Sequence, residues 1–229
     1  MQQIVTTGIV LGRTNFGEAD RIVTLLTPDQ GKLRLIAKGA RRQASKLAGG
    51  IELFSISQIT YIKGRGEIGT LVSSRLSTHF SRIAEDINRT MYGYETLKRL
   101  QQLTEDAADE DYFVLLSRVL ESLDEPDLPT TYIDLWQHLR LLSLAGIAPN
   151  LHEDTSGGRL QPGQRFQFDS ETMGFSAHPE GRFTDAHIKL LRLTERLDSP
   201  LLLLQVLGIS EVLPDALQLV LLISRQSRA

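Results

Sequence analysis

The chain contains no cysteine among its 229 residues, which removes disulfides, thiolate nucleophiles and thiolate zinc sites and fits a reducing compartment. It also lacks any uninterrupted apolar run near the ~20 residues that a membrane span needs. The Leu-rich stretch from 200 to 223 comes nearest, and Gln205, Glu211 and Asp215 break it. No membrane partner is expected. The start, Met1-Gln2-Gln3-Ile4, has no basic stretch followed by an apolar segment, so a secretory signal is not expected and a cytoplasmic location is. Catalytic signatures are missing too: there is no Walker loop, no Gly-x-Gly-x-x-Gly after a strand and no His-Glu-x-x-His. The histidines, His79, His138, His152, His178 and His187, show no metal-ligand spacing. Asp109-Glu110-Asp111 are consecutive at a helix start, where they suit the positive end of the dipole better than a metal pair. The chain is therefore expected to be no enzyme and to need no cofactor.

What is present is an uneven distribution of charge. Residues 1–80 carry eleven Lys and Arg against five acids, a surplus of six positive charges, while the remainder carries a surplus of nine negative ones. A basic block joined to an acidic one points to a polyanion-binding module coupled to something else, against the plainer reading of two domains with different surfaces.

Periodicity divides the chain at the same place. Short β-type runs fill 4–11, 21–27, 32–37, 51–62 and 68–74, with Pro28-Asp29-Gln30-Gly31 and Lys63-Gly64-Arg65-Gly66 as turns. Five short strands with a longer excursion after the third predict a small Greek-key barrel such as the OB-fold, with an SH3-like barrel as the alternative. Beyond residue 78 the period becomes helical. Ile83, Ile87, Met91, Tyr94, Leu97 and Leu103 predict one amphipathic helix after a Ser81 cap, Phe113 to Leu123 a second, and Tyr132 to Leu142 a third. Residues 184–197 predict a fourth, and 200–223 a last element broken near Gly208 and at Pro214. Between the third and fourth, residues 152–182 read as a small β-hairpin insertion. The expected class is α+β, with an OB-fold domain over 1–80 and an all-α domain over 81–229.

The third strand carries the clearest chemistry. Leu33, Leu35 and Ala37 alternate with Lys32, Arg34 and Lys38, so one face packs and the other is cationic. Directly after it, Lys38-Gly39-Ala40-Arg41-Arg42-Gln43-Ala44-Ser45-Lys46 holds four positive charges and no acid. Such a surface neutralises phosphates with no preference for sequence, unless the loop is simply solvated. Lys63 and Arg65 add cations in the turn before the fifth strand, beside the face an OB-fold offers to nucleic acid, and Arg13 and Arg21 complete the candidate set. Phe16, in the polar stretch 13–20, is the candidate ring for base stacking, whereas Phe54 and Tyr61 read as core.

Gly17-Glu18-Ala19-Asp20-Arg21-Ile22-Val23-Thr24-Leu25-Leu26-Thr27, Gly31-Lys32 and Ala37-Lys38-Gly39-Ala40-Arg41-Arg42 resemble the N-terminal signature of the bacterial RecO family. His138-Leu139-Arg140-Leu141-Leu142 and Ala145-Gly146-Ile147-Ala148-Pro149-Asn150-Leu151 are similar to that family's central helix and the turn after it. The resemblance implies a DNA repair and recombination mediator that binds single- and double-stranded DNA, anneals complementary strands and, with RecR, helps load RecA onto DNA coated by single-strand-binding protein (SSB). It also implies association with the nucleoid and contact with the acidic, Phe-ended SSB tail through an apolar pocket beside a cation, for which Trp136, Leu139 and Arg140 are the candidates. The family's small module usually carries two Cys pairs that bind zinc. Here Asp154 and Gly157 stand at the first pair and no cysteine falls around 176–180, so a metal-free hairpin is expected. The alternative function is a generic OB-type RNA- or DNA-binding adaptor without annealing activity.

Overall fold

The computed structural model describes residues 2–64, 66–104 and 109–226. The chain forms two compact units, Met1–Pro126 and Asp127–Ala229. In the first, strands β1 (Gln3–Phe16), β2 (Asp20–Thr27), β3 (Gly31–Ala37), β4 (Ser55–Ile62) and β5 (Ile68–His79) close into a barrel of order β1-β2-β3-β5-β4. Every pairing is antiparallel except that of β3 with β5. This is the OB-fold, and its strand order excludes the SH3-like alternative. Gly31 at φ +63° makes the turn from β2 to β3, where Thr27 Oγ1 accepts from Gln30 N (3.1 Å) and donates to Gly31 O (2.9 Å).

Val10, Val23, Leu25, Leu35, Ile59 and Leu71 fill the barrel, and Ile51 joins them from a 3₁₀ turn, Ala48–Ile51, in the excursion after β3. A second core lies on the outside. Ile9 and Leu26 are cross-strand partners that are fully buried although they fall outside the barrel cluster, because helices α1 (Ile87–Leu103) and α2 (Glu110–Leu123) pack against β1 and β2. The uninterrupted apolar runs Ile9-Val10-Leu11 and Leu25-Leu26 mark strands covered on both faces. Fully burying each such Leu or Ile is worth about 1.5–3 kcal/mol. The first two helices therefore share the barrel's compact unit.

Several boundaries differ from those the sequence predicts. Strand β1 runs on to Phe16, so that ring sits at a strand end and not in a loop. Residues Ser81–Glu85 form a 3₁₀ turn, and Asp86 caps α1 by accepting from Arg89 N at 2.9 Å. The expected apolar face of α1 is also rotated: Ile87 and Met91 are 70% and 56% exposed, while Gly93, Thr96, Leu97 and Leu100 face inward. Gly93 fixes this rotation, since a Cβ there would stand 2.6 Å from the Phe54 ring.

The second unit holds α3 (Thr130–Leu144), a three-stranded sheet of order β7-β6-β8 (β6 Arg165–Asp169, β7 Gly174–Ala177, β8 Phe183–Thr184), α4 (Asp185–Arg196) and α5 (Ile209–Gln226). The hairpin expected over 152–182 thus gains a short third strand. A 3₁₀ turn, Pro200–Gln205, precedes α5, and the chain bends at Gly208 as expected. It does not break at Pro214, which lies within α5 near its start and removes one hydrogen bond there. Among the described residues no helix is long and apolar enough to cross a membrane.

Helix α4 starts from a reciprocal cap in which Thr184 N donates to His187 Nδ1 at 3.1 Å. That bond requires an unprotonated Nδ1. Burial lowers the His187 pKa below 6.5, with Asp215 opposing and Arg165 and Arg182 assisting. The folded state therefore binds this proton less readily than the unfolded chain, and its stability falls as pH drops below the ordinary histidine value. The melting temperature should decline from pH 7 to 5, and His187→Gln, which keeps an acceptor for Thr184 N, should flatten that decline in a calorimetric series.

Candidate nucleic-acid interface

Strand β3 sorts its side chains as its alternation requires. Leu35 and Ala37 are buried, whereas Arg34 and Lys38 are exposed. Lys32 stands on the same outward row, but its ammonium donates to the backbone oxygens of Gln101 (3.2 Å) and Thr104 at the end of α1. It caps a helix C-terminus, where a cation also meets the negative end of the dipole. Arg13 is likewise engaged, pairing with Glu52 at 2.6 Å and donating to Ile51 O at 3.4 Å, which holds the excursion to β1.

The other cations gather at two places. Around the β1–β2 turn, Asp20 accepts from Gly39 N (2.7 Å), Arg41 N donates to Ala19 O (2.9 Å), and the Arg41 guanidinium reaches Gly17 O (3.4 Å). These bonds stitch the basic loop after β3 to the end of the hairpin. Lys38, Arg41, Arg42 and Lys46 are exposed in that loop, Arg21 is half-buried at the start of β2, and Phe16, paired with Asp20, is 50% exposed. The second place is a recess of about 210 Å³ where Arg34 and Lys63 stand with Lys32, Gln30, Tyr61 and one acid, Glu67. The Tyr61 hydroxyl lies 3.5 Å from Gln30 Oε1, and burial followed by the charge of Asp29 raises its pKa above 10.0, so it remains a donor. Among the described residues none of Arg21, Arg34, Lys38, Arg41, Arg42, Lys46 and Lys63 is in an ion pair. Arg65 lies outside the described residues.

The candidates for partner binding in the second unit are placed differently from expectation. Trp136 is 2% exposed, with Nε1 donating to Leu197 O at 2.8 Å, and Leu139 is fully buried. Both pack the helical core and offer no surface, and Arg140 donates to Glu195 O at 3.5 Å. An open apolar recess beside cations occurs instead between the small sheet and α5. It measures about 410 Å³, with Phe168, Phe183, Leu219 and Leu222 forming apolar walls and Arg182 and Arg225 at the margin. Arg182 is held by Asp215 (2.5 Å), while Arg225 is exposed. The spacing of Leu219, Leu222 and Arg225 along one helix face was the available signal, masked by the uniformly Leu-rich tail.

The residues of the insertion do not fit the zinc ion that the resemblance implies. Asp154 Oδ1 accepts from Ser156 N (2.8 Å), Ser156 Oγ (2.6 Å) and Gly158 N (2.8 Å), so this carboxylate closes its own turn. His178 Nδ1 accepts from Glu180 N at 3.2 Å. Among the described residues no three His, Cys, Asp or Glu are grouped to hold a metal ion. The turn is closed by a carboxylate where the resemblance implies a thiolate.

Compared with known proteins, residues 1–80 match the family model described as Recombination protein O N terminal, and residues 84–209 the one described as Recombination protein O C terminal. A DNA repair protein RecO of Desulfatibacillum aliphaticivorans is 35% identical over 156 residues, 67% of this chain and 60% of that protein. One from Alkaliphilus metalliredigens is 30% identical over 200 residues, 87% of this chain and 80% of that protein. One from Synechococcus is 36% identical over 156 residues, 63% of this chain and 55% of that protein. The matched chain thus spans between just over half and four fifths of these relatives' lengths.

Two outcomes check these placements. Lys32→Ala should cost about 1 kcal/mol in denaturant unfolding by uncapping α1, while Arg34→Ala on the same row should leave stability nearly unchanged. The Ser156 hydroxyl and then the Gly158 N–H hold the Asp154 pKa below 3.8, so this turn's contribution persists above the ordinary Asp value and is lost as pH falls through the lower, folded one. Asp154→Ala should lower the melting temperature at neutral pH, and elemental analysis of the unaltered protein should find no stoichiometric zinc.

Proposed function

The chain belongs to the recombination protein O family, and from that premise we propose that it is a DNA-binding recombination mediator acting in DNA repair. It binds single- and double-stranded DNA, anneals complementary strands and, with RecR, helps load RecA onto DNA coated by SSB. Binding is the work of the barrel, 1–80, and recruitment of partners the work of the region 81–229. A protein so occupied collects at the nucleoid within the cytoplasm.

The observation that carries this reading is the set of cations without ionic partners at one hairpin end and on the outward row of β3, with Phe16 among them. Two strands of nucleic acid repel each other. A surface that binds both lowers that repulsion and raises their local concentration, and base pairing then supplies the driving force. No covalent bond is made or broken, so no catalytic group is needed. Phosphate contacts of this kind release counterions and carry no sequence information. The exposed Phe16 ring adds a stacking platform that any base can use.

The recess formed by Phe168, Leu219 and Leu222 beside Arg225 suits the chemistry of the SSB tail, an apolar ring followed by carboxylates. It replaces Trp136 and Leu139 as the candidate.

Replacing Arg41 and Arg42 with Ala should weaken oligonucleotide binding several-fold and about equally for unrelated sequences. It should also flatten the dependence of log K on log salt by about 0.7 for each single-strand phosphate that the altered protein no longer neutralises. The unaltered protein should accelerate annealing of SSB-coated complementary oligonucleotides; binding without acceleration would identify the adaptor, and turnover of nucleotide would identify an enzyme. For the tail, Arg225→Glu should raise the dissociation constant of an acidic, Phe-terminated peptide at least tenfold in a fluorescence titration.

A further inference from the structure

The recess at the start of β3 differs in kind from the open basic loop that follows the other end of that strand. Its lining carries Lys32 and Arg34 from β3, Lys63 from the turn between β4 and β5, and Glu67, a surplus of two positive charges around about 210 Å³. The Lys32 ammonium is taken by carbonyl oxygens at the end of α1. Arg34 and Lys63 are exposed and, among the described residues, in no ion pair. Tyr61, only 2% exposed, lines the same space. Its hydroxyl has one hydrogen-bond partner among the described residues, Gln30 Oε1 at 3.5 Å, which is the long limit of such a bond. A buried donor held so loosely has capacity left for a better acceptor.

We propose that this recess seats the terminal phosphate of a DNA strand, an assignment that rests on the barrel being the DNA-binding module. A terminal phosphate is a monoester with close to two negative charges at neutral pH and three free oxygens. A phosphate inside the strand is a diester with a single charge. A surplus of two, a forked guanidinium, an ammonium and a phenol gathered around one small space match the monoester. The loop from Lys38 to Lys46 spreads its charges over an open surface and suits the diesters that follow. Strand β3 joins the two places: its seven residues span about 20 Å. A DNA strand ending in the recess therefore reaches the basic loop after about six nucleotides at the 3.4 Å spacing of stacked bases. A strand end is favoured over a free mononucleotide, because contacts along the loop hold that end near the recess at high effective concentration.

Competition against a fluorescent oligonucleotide bound to the full chain, followed by anisotropy, tests it. The competitors are single strands of one sequence, about twelve nucleotides long, ending in a 5′-phosphate, a 3′-phosphate or hydroxyls alone. A phosphorylated strand should displace the probe at about fivefold lower concentration than the strand with two hydroxyl ends. Arg34→Ala and Lys63→Ala should each bring that ratio close to one, and Tyr61→Phe should reduce it. Replacing Arg41 and Arg42 with Ala should weaken all three strands alike and keep the ratio. Strands that compete equally whatever their ends would overturn the proposal and leave DNA binding by the barrel standing, whereas a chain that binds none of them would overturn both. An undiminished ratio in both Arg34→Ala and Lys63→Ala would also overturn it. So would thymidine monophosphate that displaces the probe as well as the phosphorylated strand does, since the recess would then be a mononucleotide site.

Discussion

A five-stranded barrel of this order closes only where β3 meets β5 in parallel, and the side chains of β3 allow that meeting at one register. Leu35 lies opposite Gly69, and a Cβ on residue 69 would stand 2.9 Å from Leu35 Cδ2 and from Ile62 O. The glycine lets the two backbones approach while Leu35 fills the interior. Once Leu35 points inward, Arg34 points outward, because β3 pairs without a register shift, its side chains alternate, and a slip of one residue would exchange the faces. The same closure sets Lys63 near Arg34, since Ile68, where β5 begins, pairs with Arg34. The cationic recess is thus a consequence of how the barrel closes.

A second constraint divides the cations by role. Strands β1 and β2 are apolar on both faces over part of their length, so helices must cover the outside of the barrel there. Covering it brings the end of α1 to β3, and Lys32 becomes that helix's cap. Arg13 is similarly drawn to Glu52 by the need to tie down the excursion that delivers Ile51 to the core. What remains open to a polyanion is the part of the surface that no packing requirement claims: Arg34 and Lys63 at the recess, and the loop from Lys38 to Lys46 stitched beside Phe16.

Much of this was legible in the residues. Alternation in β3, the Pro28 to Gly31 turn and the excursion before Ile51 announced the barrel, and the helical period beyond residue 78 announced the rest. The misreadings have separate causes. Periodicity reports which residues are apolar but not which neighbour buries them, so Ile87 and Met91 looked like the core face of α1 until Gly93 against Phe54 set a different rotation. Motif position, taken from the resemblance, is what points Trp136 and Leu139 to a surface pocket; their helical spacing places them on the packed face, and a buried aromatic with its N–H satisfied by Leu197 belongs to the core. Charge carries an equivalent ambiguity. Lys32 and Arg34 are indistinguishable in a pattern, and only the carbonyls at the end of α1 separate a structural cation from a free one.

The central claim, that DNA lies along these free cations and not along the others, is tested most directly by lysine footprinting. The protein would be treated with an amine-reactive reagent with and without a bound oligonucleotide, and each site would be quantified by mass spectrometry. The account predicts strong protection of Lys38, Lys46 and Lys63 by DNA and unchanged reactivity at Lys189 in the helical unit, with Lys32 little altered because its ammonium is already engaged. Equal labelling of Lys38, Lys46 and Lys63 in the free and bound states, or protection centred on Lys189, would contradict it.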